Sequence, residues 1–218
     1  MSQTDSMNSY ASDFCETSRY VKVLPDRVIK TIEYSGESQT IELALEKAKS
    51  AFDEIQSVRA ITTVKFLEIQ GNRLTIHQSR THSKRSTNFS DFLYFSSAVM
   101  QANRSGWIFG DINYKNVIFD GTGFKVIDFE PFTKVIRNKQ VEYQVTPPYF
   151  HPIDKLSATV TPLTDRLGLI GLCLRFKLGL RKQKEIFSSN ASTLHEIALT
   201  EGTLFIEKLH NLDKRAFV

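Results

Sequence analysis

Residues Tyr20–Ile32 (YVKVLPDRVIKTI) are dominated by β-branched and aromatic side chains, with Pro25-Asp26 in their middle. That pattern predicts a strand, a tight turn and a second strand. Ser35-Gly36-Glu37-Ser38 then breaks the chain. From about Thr40 to Gln56 the period becomes helical: Ile41, Ala44/Leu45, Ala48, Phe52 and Ile55 fall on one face, and the Ser/Thr residues ahead can cap it. A hairpin follows, Val64–Gln70 and Arg73–Gln78 around the turn Gly71-Asn72. Arg80–Ser86 (RTHSKRS) holds no apolar residue and is the best internal boundary.

Beyond it, Phe89–Asn103 reads as an amphipathic helix ended by Ser105-Gly106. Three short apolar pieces come next, Trp107–Asp111, Asn116–Asp120 and Phe124–Phe129, with Gly121-Thr122-Gly123 as a hairpin turn. Tyr143–Pro152 is a Pro- and aromatic-rich loop, Thr164–Phe176 a strongly apolar helix, and the remainder is mostly helical. No internal repeat is present. The order is a small strand-rich part, a basic connector, then a helix-rich part.

The chain has 218 residues, 41% of them hydrophobic and 24% charged, which is enough apolar material for a globular core. Those figures exclude collagen, coiled coil, a disulfide knot and wholesale disorder. The net charge of +4 suits an anionic ligand such as a nucleotide phosphate and is too small to argue for nucleic-acid binding. Cys15 and Cys173 stand alone, as reduced thiols of a cytoplasmic protein do. Residues 1–17 read as a flexible leader without signal-peptide character, and the longest apolar run, Leu167–Leu174, is far short of a membrane span.

The stretch that carries chemistry is Phe109–Pro131, FGDINYKNVIFDGTGFKVIDFEP. Asp111 and Asp128 each end a short apolar strand, and Asn116 lies five residues after the first. Strand ends can converge on one cleft. Two carboxylates and an amide there suit phosphoryl transfer, which needs one group to orient the attacking hydroxyl and hard oxygen ligands for Mg²⁺. The five histidines are scattered and are read as non-catalytic.

At these residues the chain resembles the protein kinase-like superfamily. Gly110-Asp111-Ile112 with Asn116 is similar to its catalytic loop, and Ile127-Asp128-Phe129-Glu130 to its metal-binding D-F-G segment. The resemblance implies an α+β, two-lobed protein kinase-like fold with a small strand-rich N-lobe and an abbreviated helical C-lobe. It implies that Asp111 orients the substrate hydroxyl and that Asn116 and Asp128 hold Mg²⁺. Val28-Ile29-Lys30 resembles the strand lysine motif, so Lys30 would hold the ATP phosphates with Glu46 as its ion-pair partner and Glu42 as second candidate. Thr146-Pro147-Pro148-Tyr149-Phe150-His151-Pro152 resembles the end of an activation segment, with Asp154 near the usual acidic residue and Thr133, Tyr143 and Thr146 as phosphate acceptors by position. Asp165-Arg166-Leu167-Gly168-Leu169 resembles the helix that supports the catalytic loop from below.

The expected division is an N-lobe over about 18–78, a hinge over about 79–88 and a C-lobe over about 89–218. The implied activity is transfer of the ATP γ-phosphate to a hydroxyl, first of Ser/Thr in a protein. The D-F-E motif and short C-terminal part point instead to a sugar or other small acceptor, and a nucleotide-binding scaffold is the third reading. Three departures stand out. Phe109 replaces the usual His or Tyr, Asn113 replaces a Lys or His, and no Gly-rich loop precedes Lys30, leaving Ser18-Arg19-Tyr20-Val21 to cover the phosphates.

Overall fold

The computed structural model describes residues 15–36, 62–84, 88–104, 108–127, 141–142 and 159–212, with residues 39, 41, 42, 45, 46, 49, 52 and 53 of the segment between. Strands β1 (Cys15–Val23), β2 (Arg27–Ser35), β3 (Val64–Gln70) and β4 (Arg73–Ser79) form one antiparallel sheet in the order β1-β2-β4-β3. The Pro25-Asp26 turn and the Gly71-Asn72 turn join the two hairpins, as their sequences dictate. Pairing starts at Cys15, inside the expected leader, because β1 follows β2 to its end and Cys15 lies opposite Ser35.

Side chains alternate across a strand, so Lys30, Ile32 and Tyr34 share one face of β2. Ile32 and Tyr34 are buried there, together with Leu74 and Ile76 of β4. The helical residues between 39 and 53 complete this layer. Ile41, Leu45 and Phe52 are at most 1% exposed, while Glu42, Glu46 and Asp53 point to solvent. All of these apolar residues belong to a core that continues into the C-terminal half.

That half is built on α1 (Phe89–Arg104), α2 (Pro162–Ser189), α3 (Ala191–Leu199) and α4 (Gly202–Asn211). Between α1 and α2 lie a short hairpin, β5 (Val117–Phe119) and β6 (Phe124–Val126), and a two-residue pair, β7 (Val141–Glu142) with β8 (Thr159–Val160). Helix α2 runs further than the apolar stretch suggests and is interrupted at Gly179, whose φ of 82° is non-helical. Its start is fixed by a reciprocal cap. Thr161 Oγ1 accepts from Leu163 N and Thr161 N donates to Thr164 Oγ1, both at 3.1 Å, with Pro162 at the first helical position.

Two contacts tie the β5–β6 hairpin to the sheet half. Thr63 N donates to Val126 O at 3.2 Å, and Thr62 bridges Val126 in parallel. Aromatic packing ties it to the helices. The Phe124 ring lies 5.8 Å from Phe92, 6.1 Å from Phe95 and 6.3 Å from Phe176, centroid to centroid. Among the described residues no helix is long and apolar enough to cross a membrane.

Phe92 and Tyr94 share α1 but not its face, being 1% and 57% exposed. Phe92→Ala is expected to lower the unfolding free energy by about 3–5 kcal/mol, and Tyr94→Ala by no more than about 0.5 kcal/mol. Urea unfolding of the two variants checks this, and equal losses would refute the assignment of faces.

Candidate active site

The loop Phe109–Asn116 is anchored from below by Asp165, in the first turn of α2 and fully buried. Its Oδ2 accepts from Phe109 N at 2.9 Å and from Asn103 Nδ2 at 2.8 Å, and its Oδ1 accepts from Gly110 N at 2.7 Å. Two successive backbone N–H groups reach one carboxylate because Gly110 adopts φ 73°, a left-handed conformation that glycine takes without strain. Phe109 itself is 3% exposed and belongs to the core, so burial anchors the position where the family pattern has His or Tyr. Asp165 lies where the sequence reading put it, as the buried support of this backbone.

A second constraint follows one helical turn on. A Cβ on Gly168 would collide with the Ile112 carbonyl oxygen, so the helix backbone lies directly against the loop here. Above this contact the loop presents Asp111, half-buried. Asn113 Nδ2 donates to Asp111 Oδ1 at 2.6 Å, and Asn116 Nδ2 donates to Asp111 Oδ2 at 2.5 Å. One side-chain amide therefore holds each carboxylate oxygen, which fixes the plane of the group while leaving lone pairs for a further donor. Asn113 is held in turn, its Oδ1 accepting from Lys115 N at 2.8 Å.

Asp128 lies outside the described residues, as do Thr133, Thr146, His151 and the rest of the 143–152 motif, and Asp154. The residue before Asp128 is placed: Ile127 N donates to Asn116 O at 2.8 Å, so the end of β6 is bound to the same loop. Of the two expected Mg²⁺ ligands only Asn116 is described, and its chemistry suits that ion. With its amide nitrogen turned to Asp111, Asn116 keeps a carbonyl oxygen of the hard type this ion takes.

Lys30 is half-buried on the core face of β2, opposite Val21 on β1 and Ile76 on β4. Glu46, its expected partner, is exposed, as is Glu42. Ile41 and Leu45 take the inward face of that helical segment, and residues 42 and 46 follow them outward. Ser18–Val21, expected to cover phosphates, are ordinary strand residues paired with β2. Asn103 and the clamp by Asn113 were not anticipated from the sequence. Asn103 is 62 positions from Asp165 and carries no local signal. The Asp111-x-Asn113 spacing, a common side-chain turn, is the signal that could have revealed the clamp.

No protein-family model and no curated protein sequence matches this chain. Among solved structures it is similar to one titled "Crystal structure of BubR1 kinase domain", at 12% identity and a TM-score of 0.51, over 91% of this chain and 79% of that one. The fold is therefore a mixed α/β, two-lobed protein kinase-like fold, with an antiparallel N-terminal sheet and a helical C-terminal region.

Gly168→Ala is expected to cost about 1–3 kcal/mol by overpacking, because the atom it meets is backbone and has no rotamer to yield. A thermal midpoint unchanged from wild type would refute the close approach. Burial pushes the Asp165 carboxyl up to about 6, against the N–H donors of Phe109, Asn103 and Gly110. The folded state thus holds this proton more tightly than the unfolded chain. The corresponding stability is complete below the ordinary carboxylate value and is lost as pH rises through about 6. The unfolding free energy of wild type minus that of Asp165→Asn is expected to fall by about 2 kcal/mol between roughly pH 4 and pH 7. Denaturant titrations across that window check it, and a flat difference would contradict the buried carboxyl.

Proposed function

We propose that this protein is an ATP- and Mg²⁺-dependent phosphotransferase that passes the γ-phosphate to a hydroxyl, first of all Ser/Thr of a protein substrate. The observation that carries the reading is the Asp111 carboxylate, gripped by the Asn113 and Asn116 amides on a loop bound to buried Asp165, in a kinase-like fold. Asp111 orients the acceptor hydroxyl and takes its proton as the hydroxyl oxygen bonds to the γ-phosphorus, while the bond from that phosphorus to the β,γ-bridging oxygen breaks and ADP leaves. Asn116 and Asp128 supply oxygen ligands for Mg²⁺, and Lys30 meets the phosphates from the sheet. Bound Mg²⁺ would neutralise the phosphate charge that this reaction concentrates at the cleft. No residue needs to form a covalent intermediate, so catalysis rests on positioning and electrostatics.

Transfer of label from γ-labelled ATP with Mg²⁺, followed in parallel for wild type, Asp111→Ala, Asp111→Asn and Asp128→Ala, tests this. Wild type is expected to label itself or an added protein, and loss of Asp111 to lower turnover by about 10²–10⁴-fold. Label that appears only on sugars or other small acceptors would move the substrate class to small molecules. Wild type without turnover on either would overturn the enzyme reading and leave a scaffold.

A further inference from the structure

We propose that Arg175 is a positioning residue for this loop, acting through the ring of Tyr114; the inference rests on the phosphotransferase reading above. The Arg175 guanidinium carbon lies 3.6 Å from the centroid of the Tyr114 ring, which is van der Waals stacking. Arg175 Nη1 is shielded from solvent and makes no hydrogen bond among the described residues. The π face of Tyr114 takes the place of an acceptor, and an arginine spends a shielded nitrogen on that contact.

The position of Tyr114 gives the stack its consequence. Asn113 O accepts from Asn116 N at 3.1 Å and from Val117 N at 2.9 Å, closing a turn with Tyr114 and Lys115 at its tip. The residues at the two ends of this turn, Asn113 and Asn116, are the pair whose amides grip Asp111. Fixing the tip therefore fixes both ends of the clamp. Asp165, Gly168 and Arg175 also lie within an arc of about 80° on α2, at 100° per residue, and all precede the interruption at Gly179. One helix face thus meets the loop three times, at Phe109/Gly110, at Ile112 and at Tyr114. The first two contacts set the backbone beneath Asp111, and the third sets the turn beyond it. Lysine can substitute only in part, since an ammonium keeps the charge but has no plane to stack.

The test is a double-mutant cycle on the full chain with Arg175→Ala, Tyr114→Leu and the pair, alongside Arg175→Lys. Steady-state phosphate transfer and amide exchange at Asn116 and Val117 are the readouts. Each single variant is expected to lower kcat about tenfold with KM for ATP within about twofold, since Lys30 is on the other lobe. The double variant is expected to be no worse than either single one. Arg175→Lys is expected between wild type and Arg175→Ala, and exchange at both amides to rise in every variant. Additive losses, or a lowered thermal midpoint with kcat retained, would show a merely structural contact and overturn the proposal. Wild type that transfers no phosphate would fail the proposed function instead. The exchange data then decide this inference alone, and protection unchanged from wild type would overturn it.

Discussion

The arrangement around the candidate site depends on one buried carboxylate. Placing Asp165 where water cannot reach it costs several kcal/mol unless its oxygens find donors, and the donors it finds are the backbone of Phe109 and Gly110 and the amide of Asn103. The exchange is mutual. Those two N–H groups are themselves buried and would otherwise be orphaned, so carboxylate and loop each satisfy what folding has desolvated. The Thr161–Thr164 cap fixes where α2 begins and hence where Asp165 stands. The position of the helix start is thereby passed to the loop, and through the loop to Asp111.

Rigidity reaches the loop from other sides as well. The β5–β6 hairpin is bound to it through Ile127 N and Asn116 O, and to the sheet half through Thr63 and Val126. Phe124 locks that hairpin against Phe92 and Phe95 of α1 and Phe176 of α2. A reaction whose acceleration comes from orientation needs a carboxylate held to a fraction of an ångström. Here the carboxylate is half-buried, while Phe109, Ile112, Asp165 and Gly168 beneath it are buried.

How much of this could be read from the sequence follows the range of each interaction. Period-two and period-3.6 patterns gave the hairpins and α1, because those depend on neighbours a few residues away. The spacing of Asp111 and Asn116 and the acidic start of the apolar helix at Asp165 were legible as motifs. Asn103 was not, because its role exists only once α1 and α2 are packed together. Asn113 read as a departure from the family pattern, yet it completes the grip on Asp111, a role that spacing alone could have suggested. The stacking of Arg175 on Tyr114 spans 61 positions and has no counterpart in local pattern. The exposed placement of Glu42 and Glu46, the expected partners of Lys30, follows from the period of their segment. Ile41 and Leu45 claim the inward face of the helical segment, and a residue one position further on is turned about 100° away.

The N-terminal sheet carries the last consequence. The chain has no glycine before Gly36, and Ser18–Val21 are committed to backbone pairing with β2, with Val21 directly opposite Lys30. A Gly-rich loop holds phosphates by turning several N–H groups inward at close range, which a regular L-residue strand cannot do because its N–H groups alternate within the plane of the sheet. On the proposed reading, phosphate binding at this sheet would therefore rest on charge, from Lys30 and a divalent cation, more than on a backbone cradle. Charge is less directional than a ring of N–H donors and leaves the transferred group freer to rotate. The burden of alignment then falls on the acceptor side, where Asp165, Gly168 and the amides of Asn113 and Asn116 hold Asp111 in a single orientation. The dense bonding of the loop and the plainness of the strand are, in this account, two sides of one division of labour.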